Sequence, residues 1–198
     1  MFNDVRKIFK LLPLDLQVHS QNVAFLSSLF AHSIDLNQNE IHKVWFGGLV
    51  HDIGKICVDK AIIYKSGRLT ENEYDDIKRH CYYGEQMLLE CDNLASLIPV
   101  VKYHHEKWDG SGYYGLIKDD IPLEARIICI ADCFDAMTSE RSYKEEMPIN
   151  NAIKELVKCS GTQFDPDLAL HFIKYLGELV NFNNELCTLS KNNKYKIS

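Results

Sequence analysis

The chain has 198 residues, 46% of them hydrophobic and 25% charged, with a formal net charge of −6 at pH 7. This size and composition allow one domain with a substantial core and exclude the disordered and fibrous classes. Because the chain is acidic and has no run of Lys or Arg, no stretch of about 18 apolar residues, and no basic-then-apolar N-terminus, we expect a cytoplasmic protein without a membrane segment that binds no nucleic acid polymer.

Two helices are predicted in the first part of the chain. Apolar residues recur every three or four positions over residues 14–34, which predicts an amphipathic helix beginning after Pro13. We predict a second helix that is capped by Asn39 and ended by Gly54. A histidine and an aspartate stand just before that glycine, so they are expected at a helix C-terminus.

The middle of the chain combines helix signals with one long connection. Thr70–Glu73 has the sequence of a capping box and predicts a helix that reaches His80. Asp92 or Asn93 is predicted to begin a further helix that ends at two adjacent histidines. The connection over residues 106–122 is much longer than the few residues that usually join helices, which favours a functional role for it.

The last part of the chain is also predicted to be helical. Residues 123–139 are strongly apolar but carry Asp132 and Asp135, and buried carboxylates need partners. Pro148 and the pair Asp165-Pro166 are predicted to begin two more helices. No alternating strand pattern is present, so the sequence predicts an all-α fold.

The histidines and aspartates form a ligand inventory typical of a multi-metal hydrolase. Adjacent helical residues point about 100° apart, so His51 and Asp52 can serve different ions, and a carboxylate can bridge two ions. Two ions roughly 3.5 to 4 Å apart activate water and stabilise phosphoryl displacement, which indicates phosphodiester hydrolysis with Asp52 as the bridge. Lys55, one turn from His51, is expected to stabilise the developing negative charge as a second catalytic residue.

The chain resembles the HD-GYP domains, a bacterial branch of the HD-domain metal-dependent phosphohydrolases. The matching segments in chain order are His19-Ser20, His51–Lys55, Leu69–His80, His104–Tyr113, Arg126–Arg141 and Gly161–Pro166. The resemblance implies a compact all-α HD-domain bundle with a central multi-metal site over residues 14–180. Residues 1–13 would then be an N-terminal extension, and residues 181–198 a loose polar tail.

The resemblance also implies a set of site residues. The implied metal ligands are His19, His51, Asp52, His80, His104, His105 and Asp132. Some members hold a third ion with an acidic residue one turn before the first histidine, and here Asp15 has that spacing. Two or three divalent ions, iron or manganese, are therefore expected.

The substrate implied by the resemblance is cyclic di-GMP, hydrolysed to the linear dinucleotide pGpG and in many members onward to GMP. The implied substrate contacts are Asp135, Arg141 and Lys144, together with Gly112 and Tyr113 of the loop. Cationic side chains suit a negatively charged dinucleotide.

One position departs from the family pattern, because Gly112-Tyr113 is followed by Tyr114 instead of proline. The change removes a fixed backbone angle and adds an N–H donor, so it affects the rigidity of the loop, substrate fit and any contact with a signalling protein through Gly112–Tyr114. Two alternatives to cyclic di-GMP hydrolysis stay open. One is a signalling module that binds a cyclic dinucleotide with little turnover, and the other is an HD phosphohydrolase for another cyclic dinucleotide or phosphoester.

Overall fold

The computed structural model describes the backbone of residues 1–139 and 146–193 and the side chains of residues 1–139 and 146–179. The α-helices are α1 (Phe2–Phe9), α2 (Leu14–Ser33), α3 (Gln38–Val50), α4 (Lys60–Ile63), α5 (Glu71–Lys78), α6 (His80–Leu89), α7 (Ile98–Tyr103), α8 (Leu123–Thr138), α9 (Ile149–Cys159) and α10 (Pro166–Asn193). Short 3-10 helices cover Ile53–Cys57, Ala95–Leu97 and Lys118–Asp120. Within the described ranges no β-sheet is present, which confirms the all-α prediction.

Most of the predicted helix starts are confirmed. The Thr70 hydroxyl accepts from the Glu73 N–H while the Glu73 carboxylate accepts from the Thr70 N–H, so the predicted capping box opens α5. The Asp165 carboxylate caps α10 by accepting from the N–H groups of Asp167 and Leu168. No helix in the described ranges combines the length and hydrophobicity that crossing a bilayer requires.

Two predicted helix starts were wrong. The cap of α3 is Asn37 rather than Asn39, because Glu40 stands three residues after Asn37 and completes a capping box with it. The helix expected from residue 92 begins only at Ile98, where Pro99 occupies the first turn and needs no N–H partner.

The C-terminal helix also differs from its prediction. The polar composition after residue 180 suggested a loose tail, whereas the backbone of α10 continues as a helix to Asn193. Residues 181–193 contain neither proline nor glycine, so nothing in this stretch stops the helix. The division of the chain at residue 180 stays a prediction.

Two apolar clusters form the core, and α2 and α3 contribute to both. Leu16 of α2 and Val50 of α3 belong to one cluster, and Val23 of α2 and Val44 of α3 belong to the other. His19 lies between Leu16 and Val23 along α2, so it stands where the two clusters meet. The fold thereby buries polar ligands between two apolar regions.

Residues 1–13 pack on the same core as the rest of the chain. Val5 of α1 is 1% exposed and Leu12 is 3% exposed, and both join the cluster that contains Leu16 and Val50. The N-terminal segment therefore supports the helices that carry the predicted ligands. Its description as a separate extension stays a prediction.

A glycine allows α2 and α3 to approach closely. A Cβ at Gly48 would lie 2.6 Å from the Cα of Ala24, closer than real Cβ atoms come to backbone. This close crossing sets the spacing between the helix that carries His19 and the helix that precedes His51.

We expect Gly48→Ala to lower the free energy of unfolding by roughly 1–3 kcal/mol, because the added methyl group forces α2 and α3 apart. The matched control is Gly177→Ala in α10, where a Cβ meets no atom within 4 Å. There the better helix propensity of alanine is expected to leave stability unchanged or to raise it. Urea unfolding of both variants measures the difference, and equal stabilities would contradict the packing argument.

Candidate metal centre

Asp52 stands at the centre of the site, with its two carboxylate oxygens facing different histidines. Its side chain is 1% exposed. Oδ2 lies 3.4 Å from Nε2 of His51 and 3.8 Å from Nε2 of His19. Oδ1 lies 3.4 Å from Nε2 of His80 and 3.8 Å from Nε2 of His104. One carboxylate therefore joins two separate sets of imidazoles.

The described side chains form two groups that could each hold a metal ion. In each group the ligand atoms all lie within 4.8 Å of one another. The first group is His19, His51 and Asp52, and the second is Asp52, His80, His104 and His105. Asp132 adjoins the first group, since its Oδ1 lies 3.0 Å from Nε2 of His19 and 4.0 Å from Nε2 of His51. The other six ligands predicted from the family resemblance are thus gathered around Asp52.

Helix ends bring these residues together. Asp52 immediately precedes the 3-10 helix Ile53–Cys57, which packs against α6, whose first residue is His80. This contact needs Gly54, because a Cβ there would overlap the carbonyl oxygen of His80. The prediction that Gly54 ends the second helix was wrong, because α3 already ends at Val50 and Gly54 lies inside the 3-10 helix, where its role is close packing.

The histidines are oriented as metal ligands should be. Three of them have Nδ1 within hydrogen-bond distance of a backbone carbonyl: His51 on Gly48 at 2.8 Å, His80 on Ile77 at 2.6 Å and His104 on Val101 at 3.0 Å. With Nδ1 donating, the lone pair of Nε2 points towards Asp52. His51 Nε2 and Asp52 Oδ1 are buried and have no hydrogen-bond partner among the described residues. Buried polar atoms left in this way fit coordination to a metal ion.

The electrostatics also suit metal ligation. Burial lowers the pKa of His80 to about 3 and that of His105 to about 4, and it holds the pKa of His104 well below its usual value. These imidazoles are therefore neutral at pH 7, as a ligand must be. Burial acts to raise the pKa of Asp52, but the Lys55 ammonium, 2.6 Å from Oδ2, and the nearby imidazoles keep it well below its usual range.

His19 differs from the other histidines because two carboxylates flank its ring. Burial acts to lower the pKa of His19, yet its hydrogen bonds to Asp132 and Asp135 raise it to about 9. In the metal-free protein at pH 7 the ring is therefore protonated. Because a metal ion and a proton compete for Nε2, binding an ion on this side releases a proton.

Asp135 was predicted to contact substrate, but its described contacts support His19. Its Oδ2 lies 2.6 Å from Nδ1 of His19, while its Oδ1 accepts from Asn22 at 2.9 Å and from Ser139 at 2.7 Å. A carboxylate on the far nitrogen of a ligand histidine fixes the ring and raises its basicity. The sequence signal for this role is the position of Asp135 one helical turn after Asp132, on the same face of α8.

Asp15 is not brought to either group, although it was predicted as a ligand for a third ion. Its carboxylate is exposed and accepts from the Tyr64 hydroxyl at 3.0 Å. The spacing of four residues puts Asp15 on the same helix face as His19, but one turn is about 5.4 Å, more than the short aspartate side chain spans.

We expect Asp135→Asn to weaken metal binding roughly 10- to 100-fold, because the amide no longer supports His19 as a carboxylate does. Asp15→Asn is the matched control and should leave metal affinity and metal number unchanged. Competition with a chelator, followed by metal analysis, measures both variants. A loss of one ion in Asp15→Asn would restore its role as a ligand.

Tyr113 of the long loop covers the second group. Its ring centroid lies 4.7 Å from that of His105 and 6.4 Å from that of His80. Burial raises the pKa of the Tyr113 phenol above its usual value, so the hydroxyl stays neutral. Tyr74 of α5 meets Tyr113 edge to face at 6.3 Å, and the Lys78 ammonium lies 4.4 Å from the centre of the Tyr74 ring. The loop thus forms an aromatic wall beside the ligands.

Glu106 holds this loop in place and was missed in the sequence. The side chain is 2% exposed, and its two oxygens accept from the N–H groups of Tyr114 at 2.7 Å and Leu116 at 2.6 Å. The N–H at position 114, which a proline would lack, is therefore in use. The sequence did offer a signal for this role, because Glu106 is an acidic residue that directly follows the His104-His105 pair and precedes the glycine-rich loop. Gly112 lets the loop pass close to Glu106, since a Cβ there would crowd the backbone at Glu106.

We expect Tyr114→Pro to lower the free energy of unfolding by roughly 1–3 kcal/mol, because one buried oxygen of Glu106 loses its donor. Tyr114→Phe keeps both the N–H and the ring, so it should match the parent chain. Thermal and urea unfolding compare the two. If Tyr114→Pro proved as stable as Tyr114→Phe, the hydrogen bond would not be what fixes the loop.

Two predicted substrate contacts, Arg141 and Lys144, lie outside the described residues. Lys55 is described, and it lies beside the site as predicted. Gly112 and Tyr113 are also beside it.

The model of the HD domain family matches residues 6–168. The chain belongs to the HD domain family. A cyclic di-GMP phosphodiesterase of Pseudomonas aeruginosa is 36% identical, over 81% of this chain and 39% of its own length. One of Thermotoga maritima is 34% identical, over 82% of this chain and 45% of its own length. A 3'3'-cGAMP-specific phosphodiesterase of Vibrio cholerae is 38% identical, over 75% of this chain and 33% of its own length. This HD domain therefore spans less than half the length of these relatives, and the predicted HD-GYP membership is confirmed.

Solved structures agree on the fold of this HD domain. An HDG"Y"P protein of Bdellovibrio bacteriovorus has a TM-score of 0.67 at 20% identity, covering 81% of this chain and 52% of its own. The HD domain of the Listeria monocytogenes phosphodiesterase PgpH, in complex with cyclic di-AMP, has a TM-score of 0.60 at 24% identity, covering 89% of this chain and 96% of its own. At these identities the likeness concerns the fold alone.

Proposed function

We propose that this HD domain is a metal-dependent phosphodiesterase that hydrolyses cyclic di-GMP to pGpG. The observation that carries the proposal is the buried Asp52 carboxylate, shared by two groups of imidazoles. A bridging carboxylate between two ligand sets is the arrangement that two-ion phosphodiester hydrolysis requires. The relatives named as cyclic di-GMP phosphodiesterases, at 34% and 36% identity, support the substrate.

The proposed cofactor is a pair of divalent ions, iron or manganese. One would be held by His19, His51, Asp52 and Asp132, and the other by Asp52, His80, His104 and His105. Imidazole and carboxylate donors suit both metals, and no thiolate belongs to either group in the described part of the chain. Such ions would supply Lewis-acid polarisation of the phosphate and lower the pKa of water.

The chain's own residues have distinct proposed roles. Asp52 keeps the two ligand groups at a fixed separation and balances positive charge in a buried site. The Lys55 ammonium forms an ion pair with Oδ2 of Asp52, which fixes its position. The Lys55 side chain is 16% exposed, so the ammonium is also close to solvent. We assign it the stabilisation of negative charge on the phosphate during displacement.

The loop and α5 are the proposed substrate side. Tyr113 stands over His105, and its neighbour Tyr74 is 45% exposed, so an aromatic surface is open beside the ligands. Aromatic rings stack on nucleobases, and cationic groups bind phosphates. Arg141 and Lys144 stay predictions for the phosphate contacts. Tyr114 is 43% exposed and therefore accessible to a partner protein. The loop that carries it is the proposed contact for a signalling protein.

A second cyclic dinucleotide is the alternative substrate. Relatives of Vibrio cholerae named as 3'3'-cGAMP-specific phosphodiesterases are 33% and 38% identical over most of this chain. The two substrates differ in one purine base, so the same phosphodiester chemistry would act on both.

The test is hydrolysis by anaerobically purified protein with quantified metal and added Mn(II) or Fe(II). We expect pGpG to form from cyclic di-GMP, and we expect His51→Ala and Asp52→Ala to lower the rate by roughly 100-fold or more, because each removes a ligand. His171→Ala, an exposed histidine of α10 outside both groups, is the matched control and should keep full activity.

Three other outcomes of the hydrolysis assay would lead to different conclusions. Fully metallated protein that binds cyclic di-GMP without cleaving it would contradict the proposal and favour a binding module. Faster cleavage of 3'3'-cGAMP in direct competition would keep the reaction class and correct the substrate. Cleavage that survives both ligand substitutions would place the chemistry elsewhere.

A further inference from the structure

A groove of about 670 Å³ lies between α1, α2 and α3, apart from the metal ligands. Its volume falls within the roughly 300–1,000 Å³ typical of pockets for small ligands. Its walls carry large apolar side chains, among them Phe9, Phe25, Trp45 and Leu49. None of the seven metal ligands lines it.

Aromatic side chains of the groove are open to solvent. Phe2 and Phe25 line it and are 63% and 57% exposed. A concave surface lined by aromatic and aliphatic side chains is typical of small-ligand pockets. Its concave shape, walled by three helices, suits one molecule with an apolar body.

The polar groups of the groove are of one charge type. Arg6 of α1 and Lys10, the residue that caps its C-terminus, line it four residues apart and therefore on one side of the helix. Neither forms an ion pair with any residue that the structure describes. The other polar lining residues are the amides Gln17, Gln21 and Asn22, and no lining residue is acidic. The groove is thus complementary to an anion.

The groove is also connected to the predicted metal centre through Asn22 and Asp135. Asn22 lines it and donates to Asp135 at 2.9 Å, and Asp135 in turn lies 2.6 Å from Nδ1 of His19. An occupant would therefore stand two hydrogen bonds from a metal ligand.

We propose that this groove binds a soluble amphiphile with a single apolar chain and an anionic headgroup, of the class of fatty carboxylates. The chain lies against Phe9, Phe25 and Trp45, and the headgroup lies between Arg6 and Lys10. The proposal does not depend on which reaction the metal centre performs.

The test uses the fluorescence of Trp45, one of two tryptophans in the chain. The protein is titrated with monomeric dodecanoate, with dodecyltrimethylammonium as the cation of equal chain length, and Trp45→Phe identifies the source of the signal. We expect a saturable change with dodecanoate and roughly tenfold weaker binding of the cation. Arg6→Gln with Lys10→Gln should weaken dodecanoate binding by roughly tenfold or more. Lys7→Gln, an exposed charge on α1 outside the groove, is the matched control and should bind as the parent does.

Four binding results would overturn the proposal, and so would one result from sedimentation. They are the absence of a saturable Trp45 signal, equal binding of both amphiphiles, loss of affinity in Lys7→Gln as large as in the double variant, and binding to phosphatidylglycerol vesicles but not to monomeric dodecanoate. The last would assign the surface to a membrane. Sedimentation velocity is run in parallel to detect a dimer. A dimer that excludes dodecanoate and is broken by Phe25→Asp would assign the groove to a second copy of the chain, which would also overturn the proposal.

Discussion

The structure depends on one constraint, the burial of the Asp52 carboxylate. Taking a carboxylate out of water costs several kcal/mol unless charges and hydrogen bonds replace its hydration. Here Lys55 and the imidazoles of both ligand groups surround it, and one of its oxygens still has no hydrogen-bond partner among the described residues. A negative charge at the centre is what a site that could hold metal ions needs.

The helices that meet at Asp52 are arranged by small residues and by backbone carbonyls. Gly48 permits the close crossing of α2 and α3, and its own carbonyl accepts from His51. Gly54 permits the contact between the 3-10 helix and the start of α6. Gly48 thus both permits the helix crossing and orients the His51 ring, while Gly54 lets the chain after Asp52 approach His80, so packing and site geometry are coupled.

The residues that the structure gathers around Asp52 could be picked out in the sequence because they occur in short motifs with fixed order, and their role as ligands stays a prediction. The helix boundaries near a strong cap, such as Thr70 and Asp165, were also predictable. The sequence could not predict the role of a residue whose contacts are made to residues far away in the chain. Asp135 lies against His19 across 116 positions of sequence, and its place one turn after Asp132 puts it on the same face of α8 without naming His19 as its partner. Glu106 looked like part of a motif, yet its role follows from where the loop returns eight to ten residues later.

Asp15 illustrates the opposite case, since the family resemblance and the helical spacing suggested a ligand, whereas its carboxylate accepts from the Tyr64 hydroxyl. We propose that Asp52 bridges two ions and that Asp15 binds none. Crystals of the metal-loaded protein, measured above and below the Fe or Mn absorption edge, test it most directly. We predict two anomalous peaks, one on each side of the Asp52 carboxylate. A single peak, or a third peak beside Asp15, would contradict this account.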